Sequence, residues 1–448
     1  MLNIIRRFIP RPILSLYHKT LAVLANFIYH SPSDKLIVIG VTGTSGKSTV
    51  VYLLSKMLEQ AGFKVGVAST ILFKVGKKEW LNDKKMTMVG RFALQKLIYQ
   101  MVKANCQYAI IETTSQGIEQ FRQRRINYDI LIFTNLYPEH IEAHGGFANY
   151  KKAKLKLFAE LKDKQKKLIA GQKIQKAIIV NLDDEHGNDF LNNWAEVKYG
   201  FTLTNKSSDQ ARVVRGNSTR STGQGSEFKV DEVPFRLKLL GNHNIYNALA
   251  VITVGLNESL NLVKISQILS AIEPPPGRIE FIEAGQNFKV IIDYAYEPKA
   301  VEKLYEVVKD VPHQKIIHVL GSTGGGRDIA RRPKLGQLAG QFADYVIVTN
   351  EDPYDEDPQQ IINQVAAGAV ENGKKLNQNL FKILDRRKAI AKALSLAQTD
   401  DFVLITGKGS EQAIVVKNNK KIPWDDRVVT REELGKLKSQ KSKVKITS

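Results

Sequence analysis

The stretch GVTGTSGKST, residues 40–49, decides the fold of this 448-residue chain. It follows an apolar run, residues 36–39, that predicts a strand, and it precedes VVYLLSKMLEQAG, which predicts a helix. A glycine-rich turn in this context predicts a phosphate-binding loop, because backbone N–H groups and the helix N-terminus attract a polyphosphate. Lys47 is expected to reach the outer phosphates and Ser48 to hold Mg²⁺. Val41 stands where the common pattern has its first glycine, so the loop is a variant.

The composition favours acidic partners and a reducing compartment. Lysine and arginine number 66 against 45 acidic residues, which gives a formal charge of +21. Such an excess indicates nucleotides, nucleic acid or anionic lipid as partners, or a solvated basic surface. The one cysteine, Cys106, excludes an intramolecular disulfide and a cysteine-based zinc site, and fits the cytoplasm.

Residues 1–33 predict an amphipathic helix. Its longest apolar run is too short to span a membrane. Apolar residues recur at helical spacing: Ile13, Leu16, Tyr17, Leu21, Leu24, Phe27 and Ile28. We predict that this stripe packs on its own protein and that the chain is cytoplasmic. The alternative is peripheral contact with a membrane surface.

Strand-like and helical patterns alternate in two blocks, which predicts the α/β class. We predict an amphipathic segment at 1–33, a central ATP-binding domain with a parallel sheet at 34–277, and a smaller Rossmann-like domain at 278–448. The polar, turn-rich residues 200–240 indicate antiparallel strands or a loose insertion. The EPPPG stretch at 273–277 predicts a stiff linker.

Polar residues cluster where the predicted strands end, and ligands bind at that edge of a parallel sheet. Glu112 follows one strand directly, so its carboxylate is expected to reach Mg²⁺ on the loop phosphates. Asn135 follows another strand, and His140 and His144 come shortly after it. A lone histidine is as often structural as functional here, so both interpretations stay open for His140.

Lys154 lies on an apolar helical stripe, four residues after Tyr150 and three before Leu157. An unpaired buried ammonium is costly and tends to lose its proton. The neutral amine reacts with CO₂ to give a carbamate, an anion that can bind Mg²⁺. The competing interpretation is a lysine that extends its ammonium to solvent.

Together these motifs resemble the Mur ligase family of ATP-dependent, amide-bond-forming enzymes, and most closely its UDP-N-acetylmuramoyl-tripeptide synthetase (MurE-type) branch. The variant loop has that family's form. The other motifs that carry the resemblance are MTM (86–88), ETTSQG (112–117), TNLYPEHIEAHGG (134–146), YKKAK (150–154), NLDD (181–184), GNHNIYNALA (241–250), GRIE (277–280), DYAYEP (293–298), GGGRDIARRP (324–333), EDPYDEDP (351–358) and GKGSEQ (407–412).

The resemblance implies roles for individual residues and a reaction through an acyl phosphate. The residues implied to bind ATP are Gly43, Thr44, Ser45, Gly46, Lys47, Ser48, Thr49, Asn244, Asn247, Arg278 and Asp293. Those implied to hold two Mg²⁺ ions are Ser48, Glu112, His140 and Lys154 as its carbamate. Those implied to bind the muramoyl peptide or the incoming amino acid are Thr87, Thr114, Ser115, Gln120, Arg122, Arg327, Asp352, Tyr354, Gly407 and Glu411.

Four departures from the family put the substrate in question. Residues 1–33 offer no counterpart to its UDP-binding domain. Tyr296 and Ser410 replace two histidines of the second domain. Tyr354 replaces the arginine that grips the distal carboxylate of diaminopimelate.

Two other functions remain as alternatives. A folylpolyglutamate synthase or another ligase of the superfamily has the same ATP chemistry. A phosphate-loop NTPase acting on nucleic acid agrees with the charge of +21, but it does not need the second-domain motifs and is therefore disfavoured.

Overall fold

A computed structural model describes residues 11–138, 144–223, 225–326 and 329–447. It divides into two compact units, and the second begins at Glu273 apart from two short earlier segments. None of the helices in these ranges is both long and apolar enough to cross a membrane.

A mixed sheet is the framework of the first unit. Its strands are β1 (Ile37–Thr42), β2 (Val65–Ala68), β3 (Leu72–Val75), β4 (Lys78–Leu81), β5 (Tyr108–Glu112), β6 (Ile130–Phe133), β9 (Ala177–Asn181), β10 (Val197–Thr202), β11 (Arg212–Ser221), β12 (Ser226–Val230) and β13 (Val233–Leu237), with a separate hairpin of β7 (Lys167–Ile169) and β8 (Gln172–Ile174). The strand order is β13-β12-β11-β10-β9-β6-β1-β5-β2-β3-β4. Strands β2, β5, β1, β6, β9, β10 and β11 pair in parallel.

The helices cover this sheet and explain its sequence pattern. They are α1 (Arg11–Ile28), α2 (Lys47–Gln60), α3 (Arg91–Lys103), α4 (Ser115–Glu119), α5 (Phe147–Ala159), α6 (Gly187–Leu191), α7 (Asn242–Asn257) and α8 (Leu262–Ala271). Central strands such as β5, β6 and β9 are buried along their whole length, as parallel strands with both faces covered must be. The predicted α/β class with a phosphate loop is confirmed. Of the two predictions for residues 200–240, antiparallel strands hold for the β12–β13 pair, whereas β11 runs parallel to β10.

Helix α1 corrects one prediction. It packs against α3, and its most buried apolar residues are the small Ala22 and Ala25 rather than its large apolar stripe. Small side chains let two helix backbones approach closely. Of the stripe predicted to pack on the protein, Leu21 is half-buried and the other six residues are exposed, with Leu16 66% and Phe27 77% accessible.

The second unit is a smaller α/β sheet with helices on both faces. Its strands are β14 (Glu280–Phe281), β15 (Lys289–Ile292), β16 (Ile316–Leu320), β17 (Tyr345–Thr349), β18 (Leu380–Ile383), β19 (Phe402–Ile405), β20 (Ala413–Val416) and β21 (Lys420–Pro423), and its helices are α9 (Pro298–Lys309), α10 (Arg331–Phe342), α11 (Pro358–Glu371), α12 (Arg386–Leu396) and α13 (Asp426–Thr447). The order β14-β15-β19-β16-β17-β18 is parallel except for β14, and β20 pairs separately with β21. A hydrophobic cluster lies on each face. The predicted Rossmann-like fold is confirmed.

A buried charge cluster ties β7 to the residues just before the neighbouring strands β6 and β9. The carboxylate of Asp129 accepts from Lys167 Nζ at 2.5 Å and from Lys176 Nζ at 2.8 Å, and all three side chains are within 2% of complete burial. The carbonyl oxygens of Leu36 and Tyr128 accept further bonds from the two ammonium groups. The single carboxylate therefore neutralises one of the two buried positive charges, and backbone carbonyl oxygens help to solvate the other.

The stability of the first unit is expected to rise as the pH increases from about 8 to 10.5 because of Lys167. Burial lowers the pKa of this side chain from 10.5 to about 8, although Asp129 opposes the shift. Between these values the unfolded chain binds a proton that the folded chain does not, so raising the pH favours the folded state, by about 1–3 kcal/mol over the window. Urea unfolding at several pH values measures the effect, and Lys167→Met should remove this rise. An unchanged pH slope in Lys167→Met would contradict the assignment.

Candidate active site

The glycine-rich loop joins β1 directly to α2 at the centre of the first sheet. Gly43 and Gly46 adopt backbone φ values of 150° and 80°, which residues other than glycine rarely adopt. A Cβ atom at Gly46 would lie 2.3 Å from Asn247 Oδ1, so this glycine also allows α7 to approach the loop. Asn135, after β6, fixes the loop by accepting from the Ser45 N–H at 2.9 Å.

Lys47 and Ser48 open helix α2 with their side chains among the loop's polar groups. Lys47 Nζ donates to the carbonyl oxygens of Gly43 (3.1 Å) and Thr44 (2.7 Å), so the ammonium lies over the loop. Ser48 Oγ donates to Glu112 Oε1 at 3.0 Å. A hydroxyl and a carboxylate in contact are oxygen ligands of the kind Mg²⁺ prefers.

Glu112 lies between two loops at the end of β5. Besides the Ser48 bond, its other oxygen accepts from the backbone N–H of Thr70 at 2.8 Å. The Thr70 hydroxyl is in turn 2.8 Å from that of Thr87. The carboxylate of Glu112 is thus held in position at the loop, with Thr87 nearby.

Lys154 reaches the loop from helix α5. This residue is 1% exposed, so of the two interpretations that the sequence leaves open, burial holds and extension to solvent does not. The ammonium has partners: Nζ donates to Gly43 O at 2.6 Å and lies 4.6 Å from the ring centre of Tyr150. The Tyr150 hydroxyl is 3.0 Å from Thr44 Oγ1, which ties α5 to the loop a second time.

The amide side chains of helix α7 lie against the same loop. Asn247 Nδ2 donates to Asn244 Oδ1 at 3.0 Å, and both residues are buried. Because Asn247 Oδ1 is close to Gly46, a nucleotide on the loop would meet this pair. The structure therefore brings together Lys47, Ser48, Glu112, Lys154 and Asn247.

A second polar group surrounds the short helix α4. Thr114 caps it by accepting from the N–H of Gly117 at 3.1 Å. His144 bridges Ser115 Oγ (3.1 Å) and Glu119 Oε1 (2.8 Å). Gln120 and Arg122 follow directly, and Arg122 donates to Gln120 Oε1 at 2.7 Å. The residues at 114–122 that are predicted to bind the peptide thus lie on and beside α4, and each has a hydrogen-bond partner.

In the second unit, Arg278 lies just before β14 and Asp293 lies just after β15. The guanidinium of Arg278 stacks 4.1 Å from the ring centre of Tyr294. Asp293 accepts from the backbone N–H groups of Ile279 (2.8 Å) and Ala295 (2.7 Å). Burial raises the pKa of Asp293, and Arg278 opposes this shift.

A buried ion cluster connects two predicted amino-acid-binding residues. Lys408 Nζ lies 2.8 Å from Asp352 Oδ1 and 2.8 Å from Glu411 Oε2. Burial alone would lower the pKa of Lys408, but Glu411 and Asp352 outweigh it and raise that pKa. Sequence reasoning missed Lys408, although its place between two glycines after a buried strand was a usable signal.

Glu351, one of the acidic residues around Tyr354 in the sequence, is buried after β17. It is 3% exposed and accepts from Thr323 Oγ1 at 2.6 Å, whereas its Oε2 atom has no hydrogen-bond partner among the described residues. A Cβ atom at Gly407 would lie 2.5 Å from that oxygen. Burial raises the pKa of Glu351, and the neighbouring Asp352 adds to this. Tyr354 adopts φ 52° and is partly exposed.

Two predicted site residues, His140 and Arg327, lie outside the described residues. Within the described ranges, no group of three or more His, Cys, Asp or Glu side chains is arranged to hold a metal.

Comparisons with known proteins identify the family to which both units are similar. Residues 41–255 match the family model of the Mur ligase middle domain, and residues 277–409 match that of the Mur ligase glutamate ligase domain. A UDP-N-acetylmuramyl-tripeptide synthetase of Roseiflexus sp. (strain RS-1) is 38% identical over 93% of this chain and 82% of its own length.

Two further relatives carry diaminopimelate ligase names. The UDP-N-acetylmuramoyl-L-alanyl-D-glutamate–2,6-diaminopimelate ligase of Caldanaerobacter subterraneus subsp. tengcongensis is 34% identical over 92% of this chain and 81% of its own length. A solved structure of an enzyme with the same name superposes with a TM-score of 0.59 and 26% identity, covering 90% of this chain and 79% of that one.

Proposed function

Because the chain belongs to the Mur ligase family, and is thus an ATP- and Mg²⁺-dependent ligase of peptidoglycan precursor synthesis, we propose that it extends a UDP-N-acetylmuramoyl-dipeptide-like substrate by one amino acid. The observation that carries the proposal is the convergence of Lys47, Glu112 and Lys154 on one phosphate loop. The tripeptide-synthetase names of the relatives support the choice of substrate.

In the proposed reaction, a substrate carboxylate oxygen attacks the γ-phosphorus of ATP, and ADP leaves. The amine of the amino acid then attacks the acyl carbon, loses a proton and expels phosphate. Both steps bring anions together, so cationic groups at the loop lower the barrier. The Lys47 ammonium can move its hydrogen bonds from the carbonyl oxygens of Gly43 and Thr44 to the phosphates, because these carbonyls belong to the loop that would bind the phosphates.

We also propose that Lys154 works as its carbamate and that two Mg²⁺ ions are bound. The buried Nζ atom, 2.6 Å from the loop carbonyl of Gly43, supports this assignment, since a carbamate there would face bound phosphates. Ser48 and Glu112 would hold one ion, and His140 and the Lys154 carbamate the other. The metals supply charge neutralisation between the reacting anions.

The remaining predicted residues have proposed binding roles. Asn244, Asn247, Arg278 and Asp293 would bind the nucleoside and phosphates of ATP. The predicted residues at 114–122, with Thr87, would bind the muramoyl peptide. The incoming amino acid would be bound by Arg327, Asp352, Tyr354, Gly407 and Glu411. Residues 1–33 would make a surface contact rather than bind the nucleotide sugar, since they contain no glycine-rich turn or acidic pocket for uridine.

The direct test measures ADP release and product mass with UDP-N-acetylmuramoyl-dipeptide and single amino acids. Turnover that needs both substrates supports the proposal. Turnover with a folate and glutamate instead would support the folylpolyglutamate synthase alternative. ATPase activity that only DNA or RNA stimulates would contradict the proposal that the substrate is a muramoyl peptide.

We predict that L-lysine or L-ornithine is preferred over meso-diaminopimelate. Tyr354 offers one neutral hydrogen bond where an arginine would grip a distal carboxylate by two. The Oε2 atom of Glu351 is buried without a partner, and an ammonium group would satisfy it. The difference of one charged hydrogen bond, about 1.5–3 kcal/mol, corresponds to roughly a tenfold to hundredfold preference.

Competition at equal concentrations, read by product mass, measures this preference. Glu351→Gln should reduce it, whereas the nearby exposed substitution Asp355→Asn should not. A clear preference of the wild type for diaminopimelate would show that Arg327 or another group binds the second carboxylate.

A further inference from the structure

Helix α1 has an inverted distribution of side chains. The buried residues of this helix are the small Ala22 and Ala25 together with His18, while Leu14 and Leu21 are half-buried. The face toward solvent carries the large apolar side chains Ile13, Leu16, Tyr17, Val23, Leu24, Phe27 and Ile28, which are between 39% and 77% exposed. Soluble surfaces scatter such residues singly, so a contiguous row indicates a contact surface.

Exposed large apolar side chains are concentrated on α1 compared with the rest of the described surface. Seven of the eighteen large hydrophobic side chains found exposed among the described residues belong to this one helix. Positions 13, 16, 17, 20, 24 and 27 follow the spacing of one helical face, and only Thr20 among them is polar. The face is therefore continuous along about four turns.

Cationic side chains converge beside this face. Lys19 Nζ lies 5.1 Å from the ring centre of Phe121, Lys156 Nζ lies 4.4 Å from it, and the guanidinium carbon of Arg124 lies 6.0 Å from it. Glu160, 4.0 Å from Lys156, is an acidic neighbour that offsets one of the three charges. We call Lys19, Arg124 and Lys156 the Phe121 cation cluster.

We propose that the exposed face of α1 and the Phe121 cation cluster together dock the protein onto an anionic lipid surface. An apolar helix face that lies in the headgroup region, flanked by cations, is the arrangement that interfacial helices use. Each cation near an anionic leaflet adds attraction that salt weakens. Residues 11–28 contain no acidic side chain, so nothing on the helix opposes this attraction.

Charge favours lipid over a second copy of this chain as the occupant. Two copies that met through this face would bring two Phe121 cation clusters together, in a protein whose formal charge is already +21. Like charges across an interface are unfavourable. This docking does not depend on which substrate the ligase uses.

Co-sedimentation of the full chain with vesicles tests the proposal. Binding is expected to mixed phosphatidylcholine–phosphatidylglycerol vesicles, to weaken with added salt, and to be much weaker with phosphatidylcholine alone. The double variant Leu16→Ser/Phe27→Ser should bind the mixed vesicles at least about tenfold more weakly, because two apolar side chains no longer leave water. The control Val263→Ser removes an apolar residue of α8 that is 55% exposed and should bind like the wild type.

A charge variant separates the two contributions. Lys19→Glu should weaken binding to the mixed vesicles about fivefold or more and leave the weak binding to phosphatidylcholine unchanged. Unaltered ADP release in solution by each variant would show that the fold is intact. Absence of vesicle binding by the wild type, or equal binding by Leu16→Ser/Phe27→Ser, would overturn the proposal. A dimer in light scattering that Leu16→Ser/Phe27→Ser converts to a monomer, without an effect on vesicles, would assign the face to a second copy instead.

Discussion

Lys154→Ala is expected to lower the rate of ligation by about a thousandfold or more while the protein stays folded. The substitution removes the only group that α5 extends to the Gly43 carbonyl in the described structure, and with it the proposed carbamate. Loss of one preorganised charged group at a site of developing charge typically costs about a hundredfold to a thousandfold, and loss of a metal ligand adds to this. Single-turnover ADP release measures the effect.

Three controls distinguish the carbamate from a simple cation. Lys152→Ala changes an exposed lysine of the same helix and should keep full activity. Lys154→Arg keeps a positive charge but forms no carbamate, so it should be as inactive as Lys154→Ala. Short carboxylic acids should partly restore Lys154→Ala by supplying the missing carboxylate. Normal turnover by Lys154→Ala without such an acid, or by Lys154→Arg, would refute the carbamate.

Asp129→Ala is expected to destabilise the first unit by about 3–5 kcal/mol. It removes the carboxylate between two ammonium groups that are almost completely buried, and breaking one partner out of a buried ion cluster leaves uncompensated charge. Urea unfolding followed by tryptophan fluorescence reports the change, with Trp80 and Trp194 as probes in this unit.

Two further variants test the cause. Asp129→Ala combined with Lys167→Met removes one of the two stranded cations and should recover part of the loss, which a packing defect alone would not allow. Glu232→Ala removes an exposed carboxylate paired with Lys229 and should change stability little. A loss below about 1 kcal/mol in Asp129→Ala would mean that backbone carbonyls hold both ammonium groups without the carboxylate.

Much of the site could be predicted from local sequence because its geometry is local. The loop at 43–48 follows a strand and opens a helix, so its backbone N–H groups converge whatever the rest of the chain does. Glu112 comes directly at the end of β5, and parallel strands bring their carboxyl ends to one edge. Helical spacing placed Lys154 on the apolar stripe, since three and four residues separate it from Leu157 and Tyr150, but it left open whether the ammonium is buried or reaches solvent.

Tertiary structure decided what these patterns leave open. The spacing in α1 shows which residues share a face, but it is the same whether that face packs inward or points to solvent, and here the alanines pack inward. Asp129 and Lys176 are 47 residues apart, and Asp352 and Lys408 are 56 apart. Charges so distant in sequence meet only through the strand order of the sheet, so their pairing, and the pKa shifts that follow from burial, depend on tertiary packing.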